Sequence, residues 1–215
     1  MKIENFKGMK HSAFFILKGK KEREVLRFSS SGKYFVFLFN FSGEVRLEIE
    51  GKGVEVYIFG VYLGERKEEF SLSIMQHHKI GDSVSNLLVK GVFTGQAKFF
   101  YQGLIRIEKA AQKSHAYQKN QNLVLSPKVF VESRPFLEIL ANDVFCTHGS
   151  TTGQLSKEEI FYLRTRGINE KNAKKLLIKG FVSEVFDKME KEVGESEKVR
   201  EIQRQVFAKL ESFYA

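Results

Sequence analysis

Hydrophobic positions recur at strand spacing over roughly the first three quarters of this chain and at helical spacing over the remainder. Residues 34–41, YFVFLFNF, form a continuous apolar run. A clean alternation follows at Val45, Leu47 and Ile49, then Val54, Val56 and Ile58, then Phe70, Leu72 and Ile74. Gly43, Gly51, Gly53, Gly60 and Gly64 punctuate these strands. Further short strands are expected at residues 84–89, 97–101, 104–107, 123–125, 129–131, 137–139 and 144–146. Strands recurring every ~10 residues fit a sandwich, a barrel or a β-solenoid. Periodicity does not choose among these, and a sandwich is the commonest outcome of such a pattern.

After Gln154 the period changes. Ser156 stands three residues before Glu159, the spacing of a capping box, and would open a helix carrying Ile160, Phe161 and Leu163. Gly167 sits where a left-handed stop is expected. Asn169 can cap a second helix with Ala173, Leu176, Leu177, Phe181, Val185, Phe186 and Met189 along one stripe, ended by Gly194. A third helix carries Val199, Ile202, Val206, Leu210 and Phe213. The expected organisation is an N-terminal segment over 1–33, a β-rich body over 34–155, and a helical tail over 156–215 as an appendage.

Composition narrows the function classes. The chain has 215 residues, 42% of them hydrophobic, enough to bury a core. No apolar run approaches the ~20 residues of a membrane span. The patch at residues 13–17 is shorter than the ~7–15 residues of a secretory signal core. A formal charge of +9 permits an acidic partner, but the basic residues are scattered, without the aromatic-flanked clusters of nucleic-acid binders. A single cysteine excludes an intramolecular disulfide and points to a reducing, cytoplasmic compartment.

That cysteine, Cys146, has His148 two residues on. In a strand both side chains project from one face, and thiol beside imidazole is a pair suited to soft metals or redox chemistry. Gly149 and Gly153 are read as the turn that follows. His77 and His78 are adjacent, so a strand sends them to opposite faces and a structural role is expected. His115 lies among polar residues and is read the same way. Asn120, Gln121 and Asn122 suit polar ladders on successive coils.

Four segments together resemble the SufB/SufD family of iron–sulfur cluster assembly proteins. They are HHKIGDSVSNLLVKGVF, YQGLIRIEKAAQKSHAYQKNQNLVLS, RPFLEILANDVFCTHGSTTGQL and EEIFYLRTRGINEKNAKKLLIKGFVSEVF, in family order over residues 77–186. Residues 1–76 share only the strand-rich character, and the resemblance implies a missing or much reduced counterpart of the family's larger N-terminal helical region. The resemblance implies a mainly β chain, a right-handed parallel β-helix with a C-terminal helical tail, in place of a sandwich. It implies that the tail docks a SufC-like ABC ATPase through Phe161, Tyr162, Arg166, Gly167 and Ile168. It also implies association through the β-helix with a SufB-like chain or a second copy.

The CTHG sequence followed by GQL is similar to the SufD branch, whose cysteine and histidine carry over to Cys146 and His148 as metal ligands. SufB-like chains have an acidic EHEA-type sequence there and a functional cysteine where this chain has Asn120. One imidazole and one thiol do not complete an iron–sulfur site, which typically takes four ligands. Iron or a cluster would therefore be held transiently and shared with a partner chain. The expectation is a SufD-like scaffold subunit, not itself an enzyme, with ATP hydrolysis in the partner. One alternative is a homodimeric scaffold serving both roles. Another is a β-helix carbohydrate-active enzyme, which needs paired carboxylates; neither Glu55 with Glu65 nor Glu138 with Asp143 is marked by spacing.

Overall fold

The structure, a computed structural model, describes residues 2–5 and 13–213. The patch at residues 13–17, weighed above as a leader, lies within the described residues and is strand. The strands are β1 Lys2–Asn5, β2 Ala13–Phe28, β3 Gly32–Ile49, β4 Val54–Gly64 and β5 Glu69–His78, then β6 Val84–Phe93, β7 Lys98–Ile107, β8 His115–Val124, β9 Phe130–Ile139 and β10 Phe145–Gly153. The helices are α1 Lys157–Thr165, α2 Glu170–Val193 and α3 Glu197–Ser212.

Apart from the antiparallel β1–β2 pair, every pairing is parallel. The order β10-β8-β6-β4-β3-β5-β7-β9 shows that the chain alternates between two walls. His115 pairs with Val84 one coil before it and with Phe145 one coil after it. This is a β-solenoid of about 4 turns, not a sandwich of hairpins. Each strand is followed by a corner that carries the chain to the opposite wall, so consecutive strands of these coils do not pair side by side.

The two walls explain the two sequence patterns. On the wall of β4, β6, β8 and β10, the inner residues Val36, Leu38, Val56 and Ile58 fill the solenoid. The outer residues Phe35, Phe37, Phe59, Val61 and Leu63 are buried under α2 and α3. A strand covered on both faces reads as a continuous apolar run. On the wall of β5, β7 and β9 the outer face is ionic: Glu48, His77, Arg106 and Glu138 stand in register on successive coils. Only alternate residues there are apolar.

β3 serves both walls by bending at Asn40, which is left-handed at φ 46°. The Asn40 amide bonds Leu63 at both ends, Nδ2 to the carbonyl at 3.2 Å and Oδ1 from the N–H at 2.8 Å, stapling the corner to the next coil. Gly43 follows at φ 146°, where a Cβ would drive into the Lys21 carbonyl.

Several boundaries differ from the sequence reading. β2 pairs with β3 along both its halves, so the solenoid starts well before residue 34. Its polar middle, KGKKERE, hid the strand. Residues 97–101 and 104–107 fall on the single strand β7 and its approach, and 129–131 with 137–139 on β9 and its approach. Gly149 and Gly153 lie within β10 and are not turn residues. The tail is no appendage, because α2 and α3 supply the cover of one wall. The N-terminal caps of α1 and α2 form as expected: Ser156 Oγ accepts from the Glu159 N–H at 3.1 Å, and Asn169 Oδ1 from the Asn172 N–H at 2.9 Å. In α2 the buried stripe includes Ile178 and Val182, whereas Leu176 faces solvent.

Candidate functional site

Among the described residues, β10 is the last rung of its wall and pairs only with β8, and β9 is the last rung of the other. Each therefore presents a free strand edge at the same end of the solenoid. The Ser150 hydroxyl donates to Ser133 Oγ at 2.8 Å and ties the two rungs together. In register, Cys146 stands over Ala116, His148 over Gln118, Ser150 over Asn120 and Thr152 over Asn122. Those four β8 residues are buried in the solenoid interior. Register partners in a parallel pair share a face, so Cys146 and His148 project together toward the interior side of the uncovered end.

Their surroundings differ. Cys146 is half-buried against Ile105, Ile107, Ala111, Ala116 and Ala141. Burial pushes its thiol pKa above the ordinary value, and a backbone hydrogen bond at Ala116 opposes this. The thiol is therefore protonated at neutral pH and is not a pre-activated nucleophile. His148 is exposed. Among the described residues, no group of three or more His, Cys, Asp or Glu side chains is arranged to hold a metal ion. Two donors of this kind do not complete a four-ligand iron–sulfur site.

The other sequence candidates have structural partners. His77 faces outward, its Nε2 2.8 Å from Glu108 Oε1. His78 faces inward, its two ring nitrogens each 2.7 Å from a hydroxyl, of Ser83 and of Ser85. Burial, with the neighbouring His77 ring adding to it, pushes the His78 pKa down to about 4. His115 packs on Phe145, ring centroids 6.0 Å apart. Of the carboxylates considered for glycoside chemistry, Glu138 is paired with Arg106 and Glu65 with Lys209, while Glu55 accepts from the Tyr57 hydroxyl. The buried polar side chains Gln118 and Tyr101 escaped the sequence reading, because nothing in their spacing separates an inward from an outward polar residue.

The uncovered end carries exposed apolar side chains, Phe136, Leu140 and Phe145 among them. A second surface forms at α1, which buries none of its residues. Phe161 and Tyr162 are 67% and 58% exposed, and the Arg166 guanidinium lies 5.3 Å from the Tyr162 ring centroid. Gly167, at φ 84°, donates to the Arg164 carbonyl, and Ile168 donates to that of Leu163. This double bond pattern is a Schellman stop and sets the angle between α1 and α2. Beside it lies a groove of about 900 Å³, with Leu125, Leu155 and Phe161 as apolar lining and Lys157, Arg164 and Lys171 at its rim.

Over residues 40–181 the chain matches the family described as SUF system FeS cluster assembly, SufBD core domain. The chain belongs to the SufB/SufD family. The match begins upstream of residue 77, where the resemblance read from the motifs started. An iron–sulfur cluster assembly SufBD family protein of Synechocystis sp. is 35% identical over 140 residues, covering 65% of this chain and 30% of that protein. The SufD protein of Escherichia coli K12 is 30% identical over 145 residues, covering 67% of this chain and 34% of that protein. SufD of Plasmodium falciparum is 34% identical over 154 residues, 71% of this chain and 10% of its own. The matched stretch thus spans about a third or less of these SufB/SufD relatives. No helix among the described residues is long and apolar enough to cross a membrane.

Proposed function

We propose that this chain is a SufD-like scaffold subunit that offers Cys146 and His148 to an iron–sulfur cluster built at an interface with a second chain. The observation that carries the reading is the placement of both side chains on one face of β10, at an uncovered end with two free strand edges. Iron or the cluster is cargo, not a resident cofactor. His148 supplies a ring nitrogen, and Cys146 a thiolate once its proton has left to solvent. The missing ligands come from the chain that covers this end. A SufB-like chain is the occupant, since Asn120 stands where that branch has its cysteine. Strand edges flanked by exposed aromatic and aliphatic side chains are the kind of surface another β-solenoid can extend.

The α1 surface and its basic-rimmed groove dock a SufC-like ABC ATPase, through Phe161, Tyr162, Arg166, Gly167 and Ile168. The chain itself is not an enzyme, and ATP is hydrolysed in that partner. A reducing cytoplasm suits a function that needs its cysteine as a thiol.

The test is cluster assembly in the reconstituted complex of this chain, a SufB-like chain and the ATPase. His148→Ala should abolish assembly while leaving the melting temperature and ATPase binding unchanged. Cys146→Ser should reduce it less, because part of the thiol's role is packing. Full assembly by His148→Ala, or a loss explained by unfolding, would sink the site. For docking, Phe161→Ala with Tyr162→Ala should abolish ATPase binding without a change in circular dichroism. Deleting the tail is unsuitable as a probe, since it would strip the cover from Phe35, Phe37 and Phe59.

A further inference from the structure

The interior of the solenoid changes character toward the end that carries Cys146. Around β3 and β4 it is mostly apolar, with Val36, Leu38, Leu47 and Ile58 beside Phe41 and Tyr62. Around β8 it is lined by Gln118, Asn120 and Asn122, all buried. These side chains stack directly beneath His148, Ser150 and Thr152. Tyr101 lies in the same interior, in register with Ser133, which bonds Ser150.

Their hydrogen bonding is incomplete. Asn122 Nδ2 donates to Asn120 Oδ1 at 2.7 Å, and Gln118 Nε2 reaches the Gly103 carbonyl at 3.3 Å. Asn122 Oδ1, Asn120 Nδ2, Gln118 Oε1 and the Tyr101 hydroxyl have no partner among the described residues. The last two converge on the single point where a Gly103 Cβ would sit, and so lie ~5 Å or less apart, a separation that one water molecule spans. A buried donor and several buried acceptors left unpaired are a strong disadvantage to folding unless something satisfies them. Apolar side chains of similar size would avoid it, as Leu38, Leu47 and Ile58 do on β3 and β4.

We propose that the coil formed by β7 and β8 holds internal water, bound by Tyr101, Gln118, Asn120 and Asn122. This site forms a hydrated floor beneath the Cys146–His148 face. The ligand class follows from the donor set. It holds amides and a phenol without a paired charge, which suits a small neutral molecule that both donates and accepts. A buried water typically makes about three such bonds, so these four atoms and their neighbours accommodate at least one. The inference does not depend on iron binding, and its test uses the isolated chain.

Oxygen-17 magnetic relaxation dispersion counts long-lived internal waters. The wild-type chain should show at least one more than a Gln118→Met, Asn120→Leu double variant, whose melting temperature should be equal or higher. Equal counts in the two proteins would overturn the proposal. Should the variant fail to fold, a crystal structure of the wild type decides. Ordered water touching Tyr101 Oη or Asn120 Nδ2 supports the site. Amide side chains paired with one another, with no water between, refute it.

Discussion

Removing the charge of Glu184 should destabilise this protein more than removing that of its partner, Lys90. Lys90 lies on β6 with its side chain 1% exposed, covered by α2, and is ion-paired with Glu184. Its ammonium also stands 4.1 Å from the Phe181 ring centroid. Glu184 is 39% exposed and has a second partner, Lys188, at 2.9 Å. Glu184→Gln leaves a buried ammonium with only the ring and an amide oxygen. Breaking a fully buried pair costs about 3–5 kcal/mol, and the solvent open to the Glu184 side lowers this to about 2–3. Lys90→Met replaces the cation with an apolar chain of similar length and leaves Glu184 with Lys188 and water. That variant should fall within about 1 kcal/mol of wild type, on either side. In a chain of this size the Glu184→Gln loss corresponds to a melting shift of roughly 4–12 °C. Acid gives a second readout. Burial alone would raise the Glu184 pKa, but the bonds from Lys90 and Lys188 outweigh it and hold it at about 2, below the ordinary 4.5. The group's stabilisation is thus present above pH 4.5 and lost as pH falls toward 2, and Glu184→Gln should abolish that component. Urea unfolding, with hydrogen exchange on α2 to detect the helices lifting first, measures both effects. Equal midpoints for Glu184→Gln and wild type, or a larger loss in Lys90→Met, would refute the reasoning.

Three further outcomes follow from the packing. His78, held neutral by burial with a pKa of about 4, should cost the protein stability as pH falls from its ordinary 6.5 toward 4, by up to about 3 kcal/mol. A His78→Gln variant should lose that pH window in a titration of unfolding free energy. Phe186→Ala, removing a ring packed between Phe37 and Phe207 with none of its surface exposed, should cost about 3–5 kcal/mol by urea unfolding. Gly167→Ala meets no neighbouring atom and carries only the left-handed backbone penalty, about 1–2 kcal/mol, seen as faster amide exchange at the α1–α2 joint.

Much of the fold was legible because burial writes a period into the sequence, and its failures mark places where burial and polarity part company. The alternation of Val45, Leu47 and Ile49 reflects a wall with solvent on one side. The unbroken run from Tyr34 reflects a wall with helices on the other. Neither pattern states whether the next strand pairs parallel or antiparallel. Topology came instead from the order of four family-like segments, and the parallel register bears it out. β2 was missed because a coil at the solenoid's beginning carries Lys20, Lys21, Glu22 and Arg23 where it turns the corner. β8 was half missed for the opposite reason. Its interior positions are amides, which periodicity counts as polar and assigns to solvent.

The candidate site shows the same division more sharply. A spacing of two residues in a strand sufficed to place Cys146 and His148 on one face, and the register over Ala116 and Gln118 agrees. Spacing carries no information on what lies across from that face, because much of the apolar contact comes from Ile105 and Ile107 on β7, a strand distant in sequence from β10. That apolar contact keeps the Cys146 thiol protonated while His148 meets solvent, so the two side chains differ in access as well as in chemistry. An exposed imidazole can engage a ligand first, whereas the thiol must lose a proton from under apolar cover. A partner chain that brings positive charge or a metal to this end would lower the cost of that deprotonation, and without one the pair remains a neutral thiol beside a free histidine.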